Sequence, residues 1–256
     1  MHGIASRLAA VALLLSLFAC KTGSKQPSVP VGDNSMNSLD WPGTYFASMP
    51  CADCEGIETT LTLRKDMTYS LIRNYQGKQA APQYSNGTFK WNSAGSRITL
   101  SGESPSDIQV GENQLFALDM SGNRITGAMA DKYVYKKLDM GITEKYWKLV
   151  ELMGKPVTWI DGQGKEVHMI LKSEKLQVNA HGGCNGIGGS YQLYPMNRIR
   201  FGNLISTMMA CPALETENGF KKALETADSY ILDGDKLQLI RARMAPLARF
   251  EAVYMK

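Results

Sequence analysis

The chain lacks the sequence patterns that mark the common enzyme classes. It has no Gly-x-Ser-x-Gly, no His-Glu-x-x-His and no Walker loop, and its 256 residues hold only three histidines. Those patterns supply the nucleophile, the metal ligands or the phosphate-binding backbone on which the corresponding reactions depend. We therefore expect a protein that is not an enzyme and has no catalytic residues.

A strong charge of one sign is also absent. The sequence carries 28 Lys and Arg residues against 24 Asp and Glu residues, a formal net charge of +4. A nucleic-acid-binding domain typically concentrates its basic residues on one face or in runs, which this even distribution does not do. We expect no nucleic-acid partner.

Long apolar runs are missing except at the N-terminus, where Leu8 to Ala19 forms one of twelve residues. As a helix it would rise about 18 Å, too short for a hydrocarbon core of about 30 Å. With Arg7 before it and Ala19-Cys20 at its end, the run is typical of a secretory signal and resembles a lipobox. We predict a lipoprotein signal peptide over residues 1–19, with Cys20 taking a diacylglycerol and becoming the N-terminus.

Residues 20–40 are polar, contain Gly23, Pro27 and Pro30, and show no apolar period. This composition predicts a lipid-anchored, flexible tether with a reach of roughly 20–25 Å. Lys21 follows the lipid site, where an aspartate would retain a lipoprotein at the inner membrane in enterobacterial sorting. By that resemblance the predicted location is the outer membrane, lipid-anchored and facing the periplasm, with the membrane as a partner.

Helical periodicity is scarce, and the predicted fold class is mainly β. Residues 41–138 read as short alternating strands with turn residues between them, which predicts a small antiparallel β-barrel. Residues 144–256 read as an α+β domain of further strands and one helix that starts at Pro212. A break at residues 139–143 separates the two halves.

Four cysteines remain after Cys20, namely Cys51, Cys54, Cys184 and Cys211. In an exported protein such thiols meet an oxidising compartment and form disulfides. Four cysteines allow three pairings. The close spacing of the first two and the domain division favour Cys51–Cys54 and Cys184–Cys211.

The segment Pro50–Glu55 lies in the turn between the first two predicted strands and has three interpretations. A thiol–disulfide oxidoreductase would use Cys51 and Cys54, although flanking carboxylates disfavour thiolate formation and no helix follows. Soft-metal capture would use the same sulfurs with the Met49 thioether, a set suited to Cu(I). A local disulfide would simply pin the hairpin, for roughly 2 kcal/mol.

The residues from Met49 to Gly56, Met-Pro-Cys-Ala-Asp-Cys-Glu-Gly, and the Thr/Leu alternation up to Leu63 resemble the N-terminal domain of the NlpE family. Supporting runs are Gly43-Thr44-Tyr45, Asp66-Met67-Thr68-Tyr69 and Tyr75-Gln76-Gly77. The resemblance implies an outer-membrane lipoprotein tied to copper homeostasis and to the activation of an envelope stress kinase. It also implies that Cys51 and Cys54 are the characteristic pair, whose disulfide reports copper or oxidation state.

The second half has a glycine-rich segment from His181 to Gly189, which a strand follows, so a dinucleotide-binding loop is disfavoured. We interpret its glycines as serving tight turns and close packing. A metal site that uses His181, Cys184, Met208, Met209 and Cys211 is an alternative. With Trp147–Leu152, Ser206–Pro212 and the predicted helix, the segment resembles a META domain, as in HslJ-like proteins. That family is stress-linked and has no established reaction.

Together these features predict a non-catalytic envelope lipoprotein that acts in stress response and copper homeostasis by sensing or binding. The expected partners are the membrane and an envelope stress-signalling protein, and the only expected ligand ion is Cu(I). Two alternatives remain. One is a module that binds a small apolar ligand or a protein, and the other is a thiol–disulfide oxidoreductase.

Overall fold

The computed structural model describes residues 32–102, 106–242 and 244–254. The predicted signal peptide and Cys20 lie outside the described residues. Within those ranges, no helix has the length and apolar character needed to cross a membrane.

The first domain is a closed antiparallel barrel of eight strands that pair in chain order, with β8 returning to pair with β1. The strands are β1 Gly43–Met49, β2 Gly56–Leu63, β3 Thr68–Gln76, β4 Gln83–Trp91, β5 Arg97–Leu100, β6 Ser106–Gly111, β7 Gln114–Ala117 and β8 Val134–Lys137. The predicted antiparallel barrel is confirmed.

Side chains fill the interior of this barrel, as is usual for eight strands. Tyr45, Leu61, Ile98 and Leu115 are completely buried there. Along β2 the inward side chains alternate as the sequence predicts, yet the outward side chains of Glu58 and Thr60 are buried too. Their burial shows that a second layer covers this strand from outside.

The sequence predicts that the barrel domain starts at residue 41, but residues 34–40 already contact the barrel. A four-residue helix, α1 Ser35–Ser38, follows the cap Asn34. The Ser35 hydroxyl donates to the Val110 carbonyl at 2.8 Å, and the Lys137 ammonium lies 2.9 Å from the Asp40 carboxylate. These contacts hold the segment against the barrel wall.

One further difference lies before β8. A 3-10 helix spans Ala130–Tyr133, in a half that the sequence reads as strands with turns between them. Short 3-10 turns leave almost no periodic signal in a sequence, because they last a single turn.

The second domain is built around a nine-stranded antiparallel sheet that closes through pairing of its first and last long strands. Its strands are β9 Tyr146–Leu152, β10 Lys155–Pro156, β11 His168–Lys172, β12 Gln177–His181, β13 Gly186–Tyr194, β14 Arg198–Ser206, β15 Ser229–Asp233, β16 Lys236–Ile240 and β17 Ala248–Val253. Strand β10 is a short addition to β9, so eight strands form the ring.

The predicted helix is present as α2 Leu214–Thr226, two residues after Pro212. Phe220, Ala223 and Leu224 recur at helical spacing and are fully buried. The Phe220 ring lies 6.0 Å from that of Phe250 in β17, so the apolar face of α2 closes the core of the second domain.

The two domains pack together through β1–β3 of the first and β13–β14 of the second. The Phe46 ring meets the Tyr194 ring edge-on at 4.9 Å. Phe46 and Ile72 belong to the same apolar cluster as the core of the second domain. The two barrels therefore form one compact unit over residues 33–256.

Candidate functional site

The cysteine pair of the first domain lies in the turn that joins β1 to β2. The last paired residues are Met49 and Ile57, which leaves the intervening residues free to form a loop. Cys51 and Cys54 are joined by a disulfide with a Cα–Cα distance of 5.3 Å. Both are half-buried, while Ala52 and Asp53 between them are exposed. The disulfide is therefore accessible from solvent at one end of the barrel.

Two contacts tie this turn to the end of β3. The Asp53 carboxylate lies 2.6 Å from the Lys78 ammonium. This hydrogen bond and the lysine charge hold the pKa of Asp53 below its usual value. The Glu55 amide donates to the Gln76 carbonyl at 3.2 Å. The turn is thus anchored to the neighbouring hairpin as well as to its own.

The turn also brings together three groups that can ligate a metal. One sulfur each from Cys51 and Cys54 and a carboxylate oxygen of Asp53 all lie within 4.8 Å of one another. In the disulfide state the sulfurs are bonded to each other and offer no thiolate. After reduction the set is two soft cysteine sulfurs and one hard carboxylate, and Cu(I) prefers soft sulfur ligands. The residues fit Cu(I) only in the reduced form.

Met49, the third predicted soft ligand, packs against the apolar core of the first barrel. Its sulfur accepts a long hydrogen bond from the Tyr135 hydroxyl at 3.9 Å. Burial raises the pKa of Tyr135 to about 12, and nearby Arg73 partly opposes that rise. In the structure, the Met49 sulfur is therefore paired with the neutral hydroxyl of Tyr135.

The surroundings of the pair differ from those of a reactive redox cysteine. Such cysteines gain a low pKa from a helix N-terminus or from nearby cations. Here a strand precedes the turn and another follows it, and the Lys78 ammonium at the turn is paired with Asp53. Nothing in this arrangement favours thiolate formation.

The second cysteine pair lies in the second domain. Cys184 and Cys211 are joined with a Cα–Cα distance of 5.9 Å. The bond links the glycine-rich segment to the chain just before α2. Its two cysteines are 27 residues apart in the sequence, whereas those of the first disulfide are three apart. The second disulfide therefore constrains the unfolded chain more than the first.

The glycine-rich segment is organised by two residues that sequence reasoning missed, Asn185 and Glu217. The backbone amide of Asn185 donates to Glu217 at 2.7 Å, and its side-chain amide donates to the same carboxylate at 3.0 Å. The side-chain oxygen of Asn185 accepts from Thr207 and from the Met209 amide. A Cβ at Gly182 would overlap Glu217. These contacts hold the glycine-rich segment in place.

The sequence feature that could have identified Glu217 is its position on the apolar face of α2, three residues before Phe220.

Two family models match the chain. Residues 45–128 match the model described as NlpE N-terminal domain, and residues 140–254 match the META domain model. Both resemblances expected from the sequence are confirmed, in the predicted order.

A curated relative, Lipoprotein NlpE of Escherichia coli (strain K12), is 34% identical over 87 residues. The match covers 33% of this chain and 36% of the relative, so it spans about a third of the relative's length.

Two solved structures are similar. One is described as a putative lipoprotein from Shewanella oneidensis; it is 51% identical, with a TM-score of 0.40, over 43% of this chain and 99% of that one. The other is described as the Cpx pathway activator NlpE from Escherichia coli. It is 17% identical, with a TM-score of 0.31, over 65% and 95%. By the two family models, residues 45–128 are similar to the NlpE N-terminal domain and residues 140–254 are similar to the META domain.

Proposed function

We propose that the protein is an envelope lipoprotein, anchored by lipid on Cys20, that acts in stress response and copper homeostasis. Its sensing site is the turn that carries Cys51 and Cys54. The observation that supports this most is the accessible disulfide at one end of the barrel, beside a carboxylate and within a motif of the NlpE family. The protein senses or binds and does not catalyse a reaction.

The chemistry of sensing follows from the two states of the pair. Two electrons and two protons from an envelope dithiol convert the Cys51–Cys54 disulfide to two thiols. Cu(I) then binds the sulfurs and displaces their protons. The oxidised turn is closed to the metal and the reduced turn is open to it, so the site reports both copper and redox state.

A route from this turn to the second domain passes through Gln76. Its carbonyl accepts from the Glu55 amide in the turn, and its side-chain amide donates to Glu58 at 2.9 Å. Glu58 in turn accepts from Tyr194 at 2.7 Å and Arg200 at 2.8 Å. A turn that loosens on reduction or metal binding therefore acts on a buried contact between the two domains.

The proposed partner is an envelope stress-signalling protein. The Escherichia coli relative is described as an activator of the Cpx pathway. The proposed location is the outer membrane, facing the periplasm, because Lys21 and not an aspartate follows Cys20. An outer-membrane position with two folded domains in the periplasm lets one chain meet both incoming copper and a signalling protein.

The lipid anchor is tested with a Cys20→Ser variant. Mass spectrometry of the wild-type protein should show a chain that begins at residue 20 and carries acyl groups. The variant should move from the membrane to the soluble envelope fraction. Retention of Met1, with no acyl group, would contradict the anchor.

The sensing site is tested by replacing both Cys51 and Cys54 with serine. Cells with this variant should lose copper tolerance and show an altered envelope-stress reporter response, at unchanged protein level. In vitro, the dithiothreitol-reduced wild-type protein should bind about one Cu(I) in a competition titration, and the variant should not.

Replacing Cys184 and Cys211 with serine gives a matched control, because it removes a disulfide from the other domain. The control should retain the Cu(I) titration of the first domain. Unchanged copper tolerance and unchanged signalling in the Cys51→Ser, Cys54→Ser variant would refute the proposal.

A further inference from the structure

The second domain has a groove of about 550 Å³ on the outer face of strands β11–β14. It is distinct from the cysteine turn and from the interface between the domains. Its lining includes two histidines, a lysine, two glycines, an asparagine, a serine, a threonine and apolar side chains. The residues used below are Lys165, His168, His181, Gly186, Gly188 and Ile205.

The groove follows rows of neighbouring residues across the sheet. His168 pairs with His181, which pairs with Gly186 on the next strand. In the next row, Gly188 pairs with Ile205 on β14. The first row thus carries side-chain rings up to β12 and then stops at the bare backbone of Gly186. In the neighbouring row the exposed apolar side chain of Ile205 lies beyond Gly188.

The two histidine rings of this row are stacked on each other, and the Tyr146 ring of β9, outside the row, stacks on His168. Tyr146 lies 4.3 Å from His168 with a 17° angle between the planes. His168 lies 6.1 Å from His181 with an angle of 5°. The next place in the stack, above Gly186, holds no side chain. A planar ligand placed there would continue the stack.

The two glycines are not required by the fold. A Cβ at Gly186 or Gly188 would have no heavy atom within 4 Å, and neither residue has a positive φ. In contrast, Gly183 has a φ of 103°, a backbone conformation that favours glycine over other residues. Glycine weakens a strand interior and often marks a place where a ligand approaches the backbone. The glycines at these two positions keep the groove open.

Hydrogen bonds define the two imidazoles. His168 Nδ1 lies 2.8 Å from the Glu166 carbonyl, which only accepts, so Nδ1 carries the hydrogen. His181 Nδ1 accepts from the Gly183 amide at 3.1 Å. Burial, His168 and Lys165 lower the pKa of His181, in that order, although Glu217 opposes them. His181 is therefore a neutral, stacking ring at neutral pH, with an Nε2 hydrogen to donate.

The charge of the groove comes from Lys165. Lys148 is paired with Glu166 at 2.6 Å, and the Glu217 carboxylate is held by Asn185. Among the described residues no ion pair uses Lys165, which is exposed at the groove. The groove therefore offers one uncompensated cation beside an apolar, stacking slot.

We propose that this groove binds a small planar carboxylate, with its ring stacked on His181 above Gly186 and Gly188 and its carboxylate paired with Lys165. Neighbouring strands lie about 4.8 Å apart, and aromatic rings stack at centroid distances of about 4.5–7 Å. A ring one strand beyond His181 fits that range, and Ile205 on the following strand forms the opposite wall. The proposal does not depend on the function proposed for the cysteine turn.

The test uses three matched probes and the full-length protein in detergent, with dissociation constants from isothermal titration calorimetry. Benzoate is planar and anionic, benzamide is planar and neutral, and cyclohexanecarboxylate is anionic but not planar. Benzoate should bind about tenfold tighter than either of the others, because only it has both the charge and the ring. Equal affinity for the three probes would overturn the proposal.

Variants then locate the site. Gly188→Leu should fill the slot and weaken benzoate at least about tenfold, with an unchanged melting temperature because its Cβ meets open space. Lys165→Gln should remove the preference for benzoate over benzamide. Lys155→Gln in β10, which does not line the groove, is the charge-matched control and should behave as wild type.

Two results contradict the proposal. One is wild-type benzoate affinity in a folded Gly188→Leu variant, and the other is an equal loss of affinity in the Lys155→Gln and Lys165→Gln variants. If Gly188→Leu lowers the melting temperature, His181→Ala replaces it. That variant removes the stacking ring, and unchanged benzoate affinity in it would equally refute the site.

Discussion

At the level of single residues, Asn185 stands out as a buried side chain whose polar atoms are all hydrogen-bonded. Its side chain makes four hydrogen bonds, to Glu217, Met209 and Thr207, and it is 1% exposed. Glu217 is 5% exposed and has the Asn185 amides as its partners. A buried carboxylate that loses its donors is costly, because little water reaches it.

We therefore expect Asn185→Ala to lower the free energy of unfolding by about 3 kcal/mol. Urea unfolding followed by circular dichroism measures the change. Asn179→Ala is the matched control, since Asn179 is exposed on β12, and it should cost less than about 0.5 kcal/mol. Equal effects of the two substitutions would show that the buried network adds nothing to stability.

Tyr135 gives a second prediction at this scale. Its pKa of about 12 in the folded protein lies above the unfolded value of about 10, because burial favours the neutral phenol. The resulting stabilisation is complete below pH 10 and is lost as the pH rises to 12. For a shift of this size the loss is about 3 kcal/mol.

Urea unfolding at pH 9 and pH 11.5 tests this. Wild type should lose more stability between the two values than Tyr135→Phe, whose ring cannot ionise. Tyr84→Phe, at a half-exposed position, serves as the control and should follow wild type. If Tyr135→Phe and wild type lose the same amount, burial of this phenol does not contribute to alkaline unfolding.

At the level of elements, the two disulfides act on loops of very different size. The chain-entropy account gives about 2 kcal/mol for the short loop of Cys51–Cys54 and about 3.5 kcal/mol for Cys184–Cys211. The first joins two ends of a turn that β1 and β2 already hold together. The second joins the loop before β13 to the segment before α2, beyond the last pair of the β13–β14 hairpin, Ile187 with Ser206.

We expect the double serine variant at Cys184 and Cys211 to lower the melting temperature clearly more than the double serine variant at Cys51 and Cys54. Differential scanning calorimetry of both proteins, beside dithiothreitol-treated wild type, measures the two shifts. A reversed order would mean that the turn disulfide is a structural staple. It would then be a poor candidate for a reversible switch.

At the level of the whole molecule, Glu58 joins the two domains. It lies on the outer side of β2, its side chain is 8% exposed, and it accepts from Tyr194 and Arg200 of the second domain. The Arg200 side chain is 52% exposed, so water screens that ion pair and the Tyr194 hydrogen bond contributes more. Beside it, the Phe46–Tyr194 contact supplies the apolar part of the interface.

Glu58→Ala should cost about 2 kcal/mol, because it removes the acceptor of a buried hydrogen bond. It should also separate the unfolding of the two barrels into two transitions in calorimetry. Glu166→Ala, at a half-exposed ion pair within the second domain, is the control and should leave a single transition. A single transition in Glu58→Ala would show that the apolar contacts alone couple the domains.

Much of the fold was predictable because its signals are local. Alternation in residues such as Leu61 and Leu63, and turn residues between the runs, predicted the barrel strands. The glycine-rich segment was predicted less accurately. Its glycines were interpreted as serving turns, but β13 begins at Gly186, inside the segment. Glycine normally argues against a strand. Here pairing with β12 and β14 on both sides overrides that local preference.

The sequence by itself determined the mainly-β character, the two-domain order and the position of α2. These three features follow from the periodicity of apolar residues, from the turn residues along the chain, and from motifs that resemble those of two families. Only the tertiary structure decided that Glu58 is buried between the domains, that Asp53 pairs with Lys78, and that Gly186 lies beside stacked rings. Those placements depend on which strands become neighbours, and residues far apart in sequence meet only once both barrels have closed.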